Sequence, residues 1–140
     1  MEVRFYKGLN KDSKKIREEV FVVEQGFKEE FDDLDDYVDT MVIYEDNMPV
    51  ATGRLYQIDE VNKIFKLGRI AVVKDKRKTG LGRIILQELE KKAIKLGAKS
   101  FYLSAQVVAV PFYNKCGYVE YGSTYYEEHV EHISMQKLAY

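Results

Sequence analysis

The stretch from Leu67 to Leu96 constrains this chain more than any other. It runs from a β-rich segment, Leu67 to Val73, through a basic turn and into a helix opened by Gly80 and Gly82. Ile85, Leu86, Leu89, Ala93 and Leu96 repeat at helical spacing, while Glu88, Glu90, Lys91, Lys92 and Lys95 fall largely elsewhere. Gly97 stands where a left-handed cap ends such a helix. A short strand, Phe101 to Ser104, follows. Strand, helix and strand in that order favour a parallel crossover.

The remaining elements are read around this unit. Glu2 to Tyr6 alternates as a first strand. Asp12 or Ser13 is placed to cap a helix whose Ile16, Val20 and Val23 share one side. Thr40 to Tyr44 and Val50 to Ile58 flank a turn at Glu45 to Pro49, and Asp59 to Lys63 turns into a strand from Ile64 to Val73. These strands, joined by short turns, imply an antiparallel meander. A shorter helix is expected around Val108 to Lys115, with strands near Tyr118 to Gly122 and His132 to Leu138. The expectation is one α+β domain over residues 1–140, with a central mixed, mostly antiparallel sheet flanked by helices.

Composition excludes several classes. The only cysteine is Cys116, so an internal disulfide and a multi-cysteine zinc site are ruled out. No apolar run approaches the roughly 20 residues needed to span a bilayer, and Met1 to Lys7 reads as a strand, not a signal segment. With 22 Lys and Arg against 23 Asp and Glu, nothing suggests bulk nucleic-acid binding. No membrane, no nucleic acid and a cytoplasmic setting are the expectations. Charge placement says more than the sum. Glu24 to Asp39 holds eight carboxylates against Lys28, and Lys74 to Arg83 holds five bases against Asp75. Two solvated loops would explain both, as would one cation-attracting end and one anion-binding end.

The basic turn carries the functional argument. A glycine at a helix start takes backbone angles that other residues resist, and the free N–H groups there favour bound phosphate. Arg77, Lys78 and Arg83 would add charge-assisted contacts. The phosphate ligand is not the one that a Walker A loop holds, because no lysine follows either glycine. The dinucleotide fingerprint GxGxxG also fails, with Ile85 at the third position. An ordinary tight turn stays open on these residues alone.

The spacing from Val72 through Arg77 to Gly80 and Gly82 resembles motif A of the GNAT N-acetyltransferase superfamily. Downstream, Ala109-Val110-Pro111-Phe112-Tyr113-Asn114-Lys115-Cys116-Gly117-Tyr118 is similar to a second element of that family, A-x-x-[FL]-Y-x-x-x-G-[FY]. The segments Val20–Gln25, Leu67–Val73 and Glu131–Met135 resemble the ElaA-like branch. Two departures stand out: Lys78 follows Arg77 where many members have glycine, and Gln106 stands where many have asparagine.

The resemblance implies the GNAT fold and direct transfer of an acetyl group from acetyl-CoA, as co-substrate, to an amine, without an acyl-enzyme and without a metal. It implies that backbone groups of Ile70 and Val72 pair with the pantetheine arm. An amide of Ala71 or Val72 would polarise the thioester carbonyl. Arg77, Lys78, Thr79, Gly80, Leu81, Gly82 and Arg83 would hold the pyrophosphate, with Gln106 and Asn114 as further cofactor contacts. Tyr113 matches the general acid that protonates the departing thiolate, a role that on the residues alone competes with that of a core aromatic. Glu24 is the first choice of general base; Glu128, His129 and His132 are the others. The acidic stretch points to a cationic acceptor such as a polyamine, an aminoglycoside-like amine or a peptide amine. Members of the family are often dimers, so a homodimer is a further expected assembly. Two other readings remain: a GNAT-fold acyl-CoA sensor without turnover, and a small interaction protein that uses no CoA.

Overall fold

The computed structural model describes residues Met1–Tyr140. Seven strands form one sheet: β1 (Glu2–Lys7), β2 (Asp39–Glu45), β3 (Met48–Asp59), β4 (Ile64–Val72), β5 (Ser100–Gln106), β6 (Val119–Glu127) and β7 (Val130–Leu138), in the order β1-β2-β3-β4-β5-β7-β6. Only β4 and β5 run parallel; every other pair is antiparallel. The mixed, mostly antiparallel sheet read from the sequence is therefore present. The β2–β3 hairpin is tighter than expected. Asp46 and Asn47 both have positive φ, 51° and 66°, so two residues make the turn and Pro49 already lies in β3.

Helix α1 (Lys11–Arg17) covers one face of the sheet and α2 (Leu81–Lys95) the other. Under α2 lie Ile85, Leu86, Leu89 and Ala93, packed with Met41, Leu55, Leu67 and Leu103. Gly97 has φ 99° and ends α2 as its sequence position implies, with Ala98 N–H donating to the Ala93 carbonyl at 2.9 Å. Leu96, expected in the stripe, sits at the cap and is half exposed. A short helix, α3 (Val110–Lys115), has Pro111 in its first turn, where a missing N–H costs nothing.

The start of α1 corrects the sequence reading. Asn10 is the cap, its Oδ1 accepting from the N–H groups of Asp12 and Ser13 at 2.8 and 3.2 Å. The two residues expected to cap are used elsewhere: Asp12 accepts from the Tyr44 hydroxyl at 2.6 Å, and the Ser13 hydroxyl meets that of Thr52 at 2.7 Å. Beyond Arg17 the helix widens into π-type turns from Glu18 to Glu24. The wider turns rotate the apolar stripe. Ile16, Val20 and Phe21 stay buried, whereas Val23 is 80% exposed.

The acidic stretch, open in the sequence to a solvated-loop reading, is only partly solvated. It contains a turn of 3₁₀ helix, Asp33–Asp36, and it buries Glu30 and Asp35. Arg17 and Arg54, both buried, neutralise them. Arg17 reaches Glu30 at 2.9 Å and Asp35 at 2.7 Å, and Arg54 reaches Asp35 at 2.8 Å and Asp32 at 3.0 Å. Arg69 joins Glu30 at 3.0 Å. Buried charges are tolerated when paired and hydrogen-bonded, and every charge in this network is paired, although Arg54 Nε is buried without a hydrogen-bond partner.

Candidate active site

The site begins where the sheet opens. β4 and β5 pair only from Ile64–Lys66 to Ser100–Tyr102, and beyond that they diverge. The gap becomes a cleft of about 410 Å³, with Leu67 to Ile70 on one wall and Leu103, Ser104, Gln106 and Tyr113 on the other. Because the ladder stops at Lys66, the β4 edge beyond it faces the cleft without β5 as a partner.

That edge is bent. Thr52 pairs with Ala71 and Arg54 with Gly68, so Arg69 and Ile70 together oppose Gly53. This is a β-bulge, and Arg69 takes φ 50° within it. A bulge leaves a residue outside the ladder and re-aims its amide. The amide expected to polarise the thioester is that of Ala71 or Val72. Both residues sit in register with β3, at Thr52 and Ala51, and since Val73 N–H donates to the Val50 carbonyl at 3.0 Å, the Val72 amide points away from β3. The irregular backbone falls just before them.

The basic turn has the geometry of an anion cradle. Lys78 and Gly80 have φ of 63° and 87°, and α2 starts at Leu81 with no side-chain cap. The first helical bond joins Ile84 N–H to the Gly80 carbonyl at 3.2 Å, so the amides of Leu81, Gly82 and Arg83 have no helical partner. A Cβ at Gly80 would meet nothing within 4 Å; glycine is required there by its backbone angle. Gly82 has a different reason. A Cβ there would lie 3.2 Å from Cζ of Phe112, so Gly82 lets α3 close against α2 and sets Tyr113 beside the cleft. Thr79 donates to the Lys76 carbonyl at 2.5 Å and braces the turn. Lys74, Lys78 and Arg83 are exposed.

Arg77 is held differently. Its Nε donates to the Val72 carbonyl at 3.0 Å, and its two terminal nitrogens grip Glu24 at 2.5 and 2.7 Å. The Arg77 guanidinium holds the Glu24 carboxyl below the usual carboxylate range. Glu24 therefore stands over the basic turn, outside the cleft lining, and its ion pair works against proton abstraction. Glu128 is committed too: it accepts from Lys28 N–H at 2.9 Å and Glu29 N–H at 3.0 Å, and these bonds lower its pKa. The His129 ring donates from Nε2 to the Gln25 carbonyl at 2.7 Å.

Tyr113 lines the cleft, its ring edge-on to Phe112 and Tyr118 with centroids at 5.2 and 6.1 Å. Desolvation pushes its phenol up to about 12, with a smaller push from the nearby Cys116 thiol. Gln106 lines the cleft as well, and its amide donates to Gln25 at 2.9 Å, tying β5 to the end of the π-type turns. Asn114 turns away. With its amide nitrogen turned toward them, Asn114 donates to the Tyr118 carbonyl at 2.9 Å and to Glu120 at 2.8 Å, which fastens α3 to the start of β6. Ile70 and Val72 are half-buried toward α2, whereas Ala71 packs toward α1.

The chain matches the acetyltransferase (GNAT) domain family over residues 9–139. It belongs to that family. The Bacillus subtilis protein YjcF, described as an uncharacterised N-acetyltransferase, is 42% identical over 130 residues, covering 91% of each chain. A crystal structure of an acyl-CoA N-acyltransferase from Pseudomonas aeruginosa superposes with a TM-score of 0.85 at 26% identity, covering 98% of this chain and 99% of that one. Escherichia coli ElaA gives a TM-score of 0.85 at 22% identity over 97% of this chain and 98% of its own, a likeness of fold. The GNAT resemblance read from two short motifs is thus shown across the chain, and acetyl transfer is the chemistry of its family.

Three features escaped the sequence reading. The bulge at Arg69–Ile70 has no marker except Gly68, one residue earlier. The arginines that neutralise the acidic stretch, Arg17, Arg54 and Arg69, all lie outside it in sequence. The polar group formed by Ser104, Tyr125, Glu127 and His132 comes from three strands, and only His132 was singled out.

Proposed function

We propose that this GNAT domain transfers an acetyl group from acetyl-CoA to the nitrogen of an amine acceptor. The observation that carries this reading is the joining of two sites by one opening in the sheet. The cradle at Lys78–Arg83 lies at one end of the splayed β4 edge, and Tyr113 lies beside the cleft that this edge borders. The name of the Pseudomonas protein, an acyl-CoA N-acyltransferase, supports the same donor class. An intracellular, reducing setting suits both acetyl-CoA and the single Cys116 thiol.

Each residue then has a task. The amides of Leu81, Gly82 and Arg83, with the Lys78 and Arg83 side chains, hold the pyrophosphate. The free β4 edge after Lys66 receives the pantetheine arm as an added strand would be received. An amide of the Arg69–Ile70 bulge, or that of Val72 just after it, donates to the thioester oxygen as charge develops on it. Tyr113 gives its phenolic proton to the departing sulfur. A phenol at about 12 is a weaker acid than a free one, so the proton moves only as the C–S bond breaks.

Calorimetric titration with acetyl-CoA should show saturable binding, and thiol release should rise when amines are added. Tyr113→Phe should lower kcat by about 100-fold or more while acetyl-CoA binding is kept. Equal kcat in the two proteins, across pH, would remove Tyr113 from the mechanism. Saturable binding without thiol release on any amine would favour the sensor reading.

A further inference from the structure

The opposite wall of the cleft holds a polar group for which the donor half of the reaction has no use. His132 lies on β7 opposite Gln106 of β5 and Tyr125 of β6, is 5% exposed, and lines the cleft. Its Nδ1 sits 2.9 Å from the Val130 carbonyl. A carbonyl only accepts, so Nδ1 carries a proton, and the ring in its neutral form presents its lone pair at Nε2. That lone pair faces another acceptor. Glu127 Oε2 is 3.6 Å away, too far for a hydrogen bond. The arrangement is fixed from behind: the Tyr125 ring stacks on the imidazole at 22°, and Ser104 bonds both the Tyr125 hydroxyl and, at 3.3 Å, Glu127 Oε1. Two acceptors converging on one cleft-side position are satisfied by a donor with at least two N–H groups and a positive charge.

The geometry points to a primary-ammonium subsite between Glu127 and His132, with His132 Nε2 as the general base for the acceptor. It rests on the acetyl-transfer reading above and names the other half of that reaction. Glu127 binds the ammonium and stabilises the imidazolium that forms. Nε2 takes one proton from R–NH3+, and the freed nitrogen lone pair bonds to the acyl carbon. The C–S bond breaks, and the sulfur receives the Tyr113 proton. The second nitrogen proton, released as the amide forms, restores Tyr113. One amide, one thiol and one proton, passed by His132 to water, are the products. The titratable groups on the strands packed against the ring are Glu127 and Tyr125 on β6; β5 offers Ser104 and Gln106, which do not titrate. Glu128, across the turn, is held by backbone N–H groups.

The test uses the whole chain, with spermidine, glucosamine and lysine amide as probes. Nitrogen NMR of the wild-type imidazoles, with CoA present, should show His132 as the Nδ1–H form, and its Nε2 signal should shift as a probe amine is added. Glu127→Gln should abolish that shift and raise the amine KM about tenfold. His132→Gln should lower kcat about 100-fold or more with acetyl-CoA affinity kept, the retained affinity showing that the variant is folded. An unmoved Nε2 signal with every probe, or full kcat in His132→Gln, would overturn the subsite while leaving the donor assignment standing. Failure of acetyl-CoA to bind at all would instead remove the donor assignment, and the subsite with it.

Discussion

The acidic stretch Glu24–Asp39 and the basic stretch Lys74–Arg83 look like mirror images in the sequence, and the fold treats them oppositely. In the acidic stretch, Glu30, Asp32 and Asp35 are consumed by Arg17, Arg54 and Arg69, and Asp39 by Lys7 at 3.1 Å. In the basic stretch Lys74, Lys78 and Arg83 stay exposed around a turn whose helix amides are free. One charge run supplies the carboxylates of a structural clamp, and the other leaves its bases free around the proposed donor cradle. Charge density alone does not distinguish them; the presence of countercharges inside the fold does. Glu29, Asp33 and Asp36 stay exposed outside the clamp, and Glu29 borders the cleft, so the expectation of a cationic acceptor rests on these carboxylates and not on the buried ones.

The largest expected effect separates the two runs by stability. Arg17→Met would leave Glu30 and Asp35 buried with half their countercharge, at a cost of about 3–5 kcal/mol. Chemical denaturation should register most or all of that loss in a domain of ordinary stability. A loss below about 1 kcal/mol would mean that the clamp is dispensable and that the comparison is wrong. Acid should find the same weak point. Asp32 and Asp35 have pKa values lowered in the fold, chiefly through Arg54 and Arg17 acting against burial, so the stability they add is present above about pH 4 and is lost as pH falls through their folded values. Glu30 acts in reverse. Burial outweighs its arginines and raises its pKa, so its ionisation costs stability as pH rises above about 4.5. The acid transition of the wild type should thus be shallower than two lowered aspartates alone would give. Arg17→Met should shift it to higher pH.

The second effect belongs to the basic run and should leave stability alone. Replacing Lys78 and Arg83 together by alanine should weaken acetyl-CoA binding about tenfold or more and flatten its salt dependence, with the unfolding midpoint unchanged. A changed midpoint with unchanged affinity would invert the roles of the two stretches.

How much of this was legible follows from what periodicity reports. The α2 stripe, the meander and the glycine pair at Gly80 and Gly82 are local patterns, and the structure returns them within a residue or two. Periodicity reports which residues are buried but not what faces them. Val23 left its stripe because the helix widened, a change no apolar spacing announces. Arg54 sits mid-strand, 19 residues from Asp35, and nothing local marks it as the countercharge. The cleft exists because β4 and β5 stop pairing after three residues, a property of two strands jointly. Gly82 was legible as part of the turn, but its close contact with the Phe112 ring, from the later helix α3, was not.

The smallest effect is expected where the two stretches touch. Glu24 opens the acidic run and Arg77 lies in the basic one, and their bidentate pair links the end of the π-type turns to the donor cradle. Both side chains are about one-third exposed, at 36% and 33%, so the pair contributes well under the buried clamp, about 1 kcal/mol or less. Arg77 also donates to the Val72 carbonyl, which keeps it beside the cradle when Glu24 is altered. Glu24→Gln keeps the shape and removes the charge that neutralises Arg77. Stability should change by less than 1 kcal/mol, while acetyl-CoA affinity should rise a few-fold at low salt, the gain shrinking as salt is added. If Glu24 were instead the general base, the same substitution would lower kcat about 100-fold and leave affinity unchanged. The two outcomes differ in sign and in the constant they move, so one titration and one rate measurement decide whether Glu24 belongs to the clamp or to the chemistry.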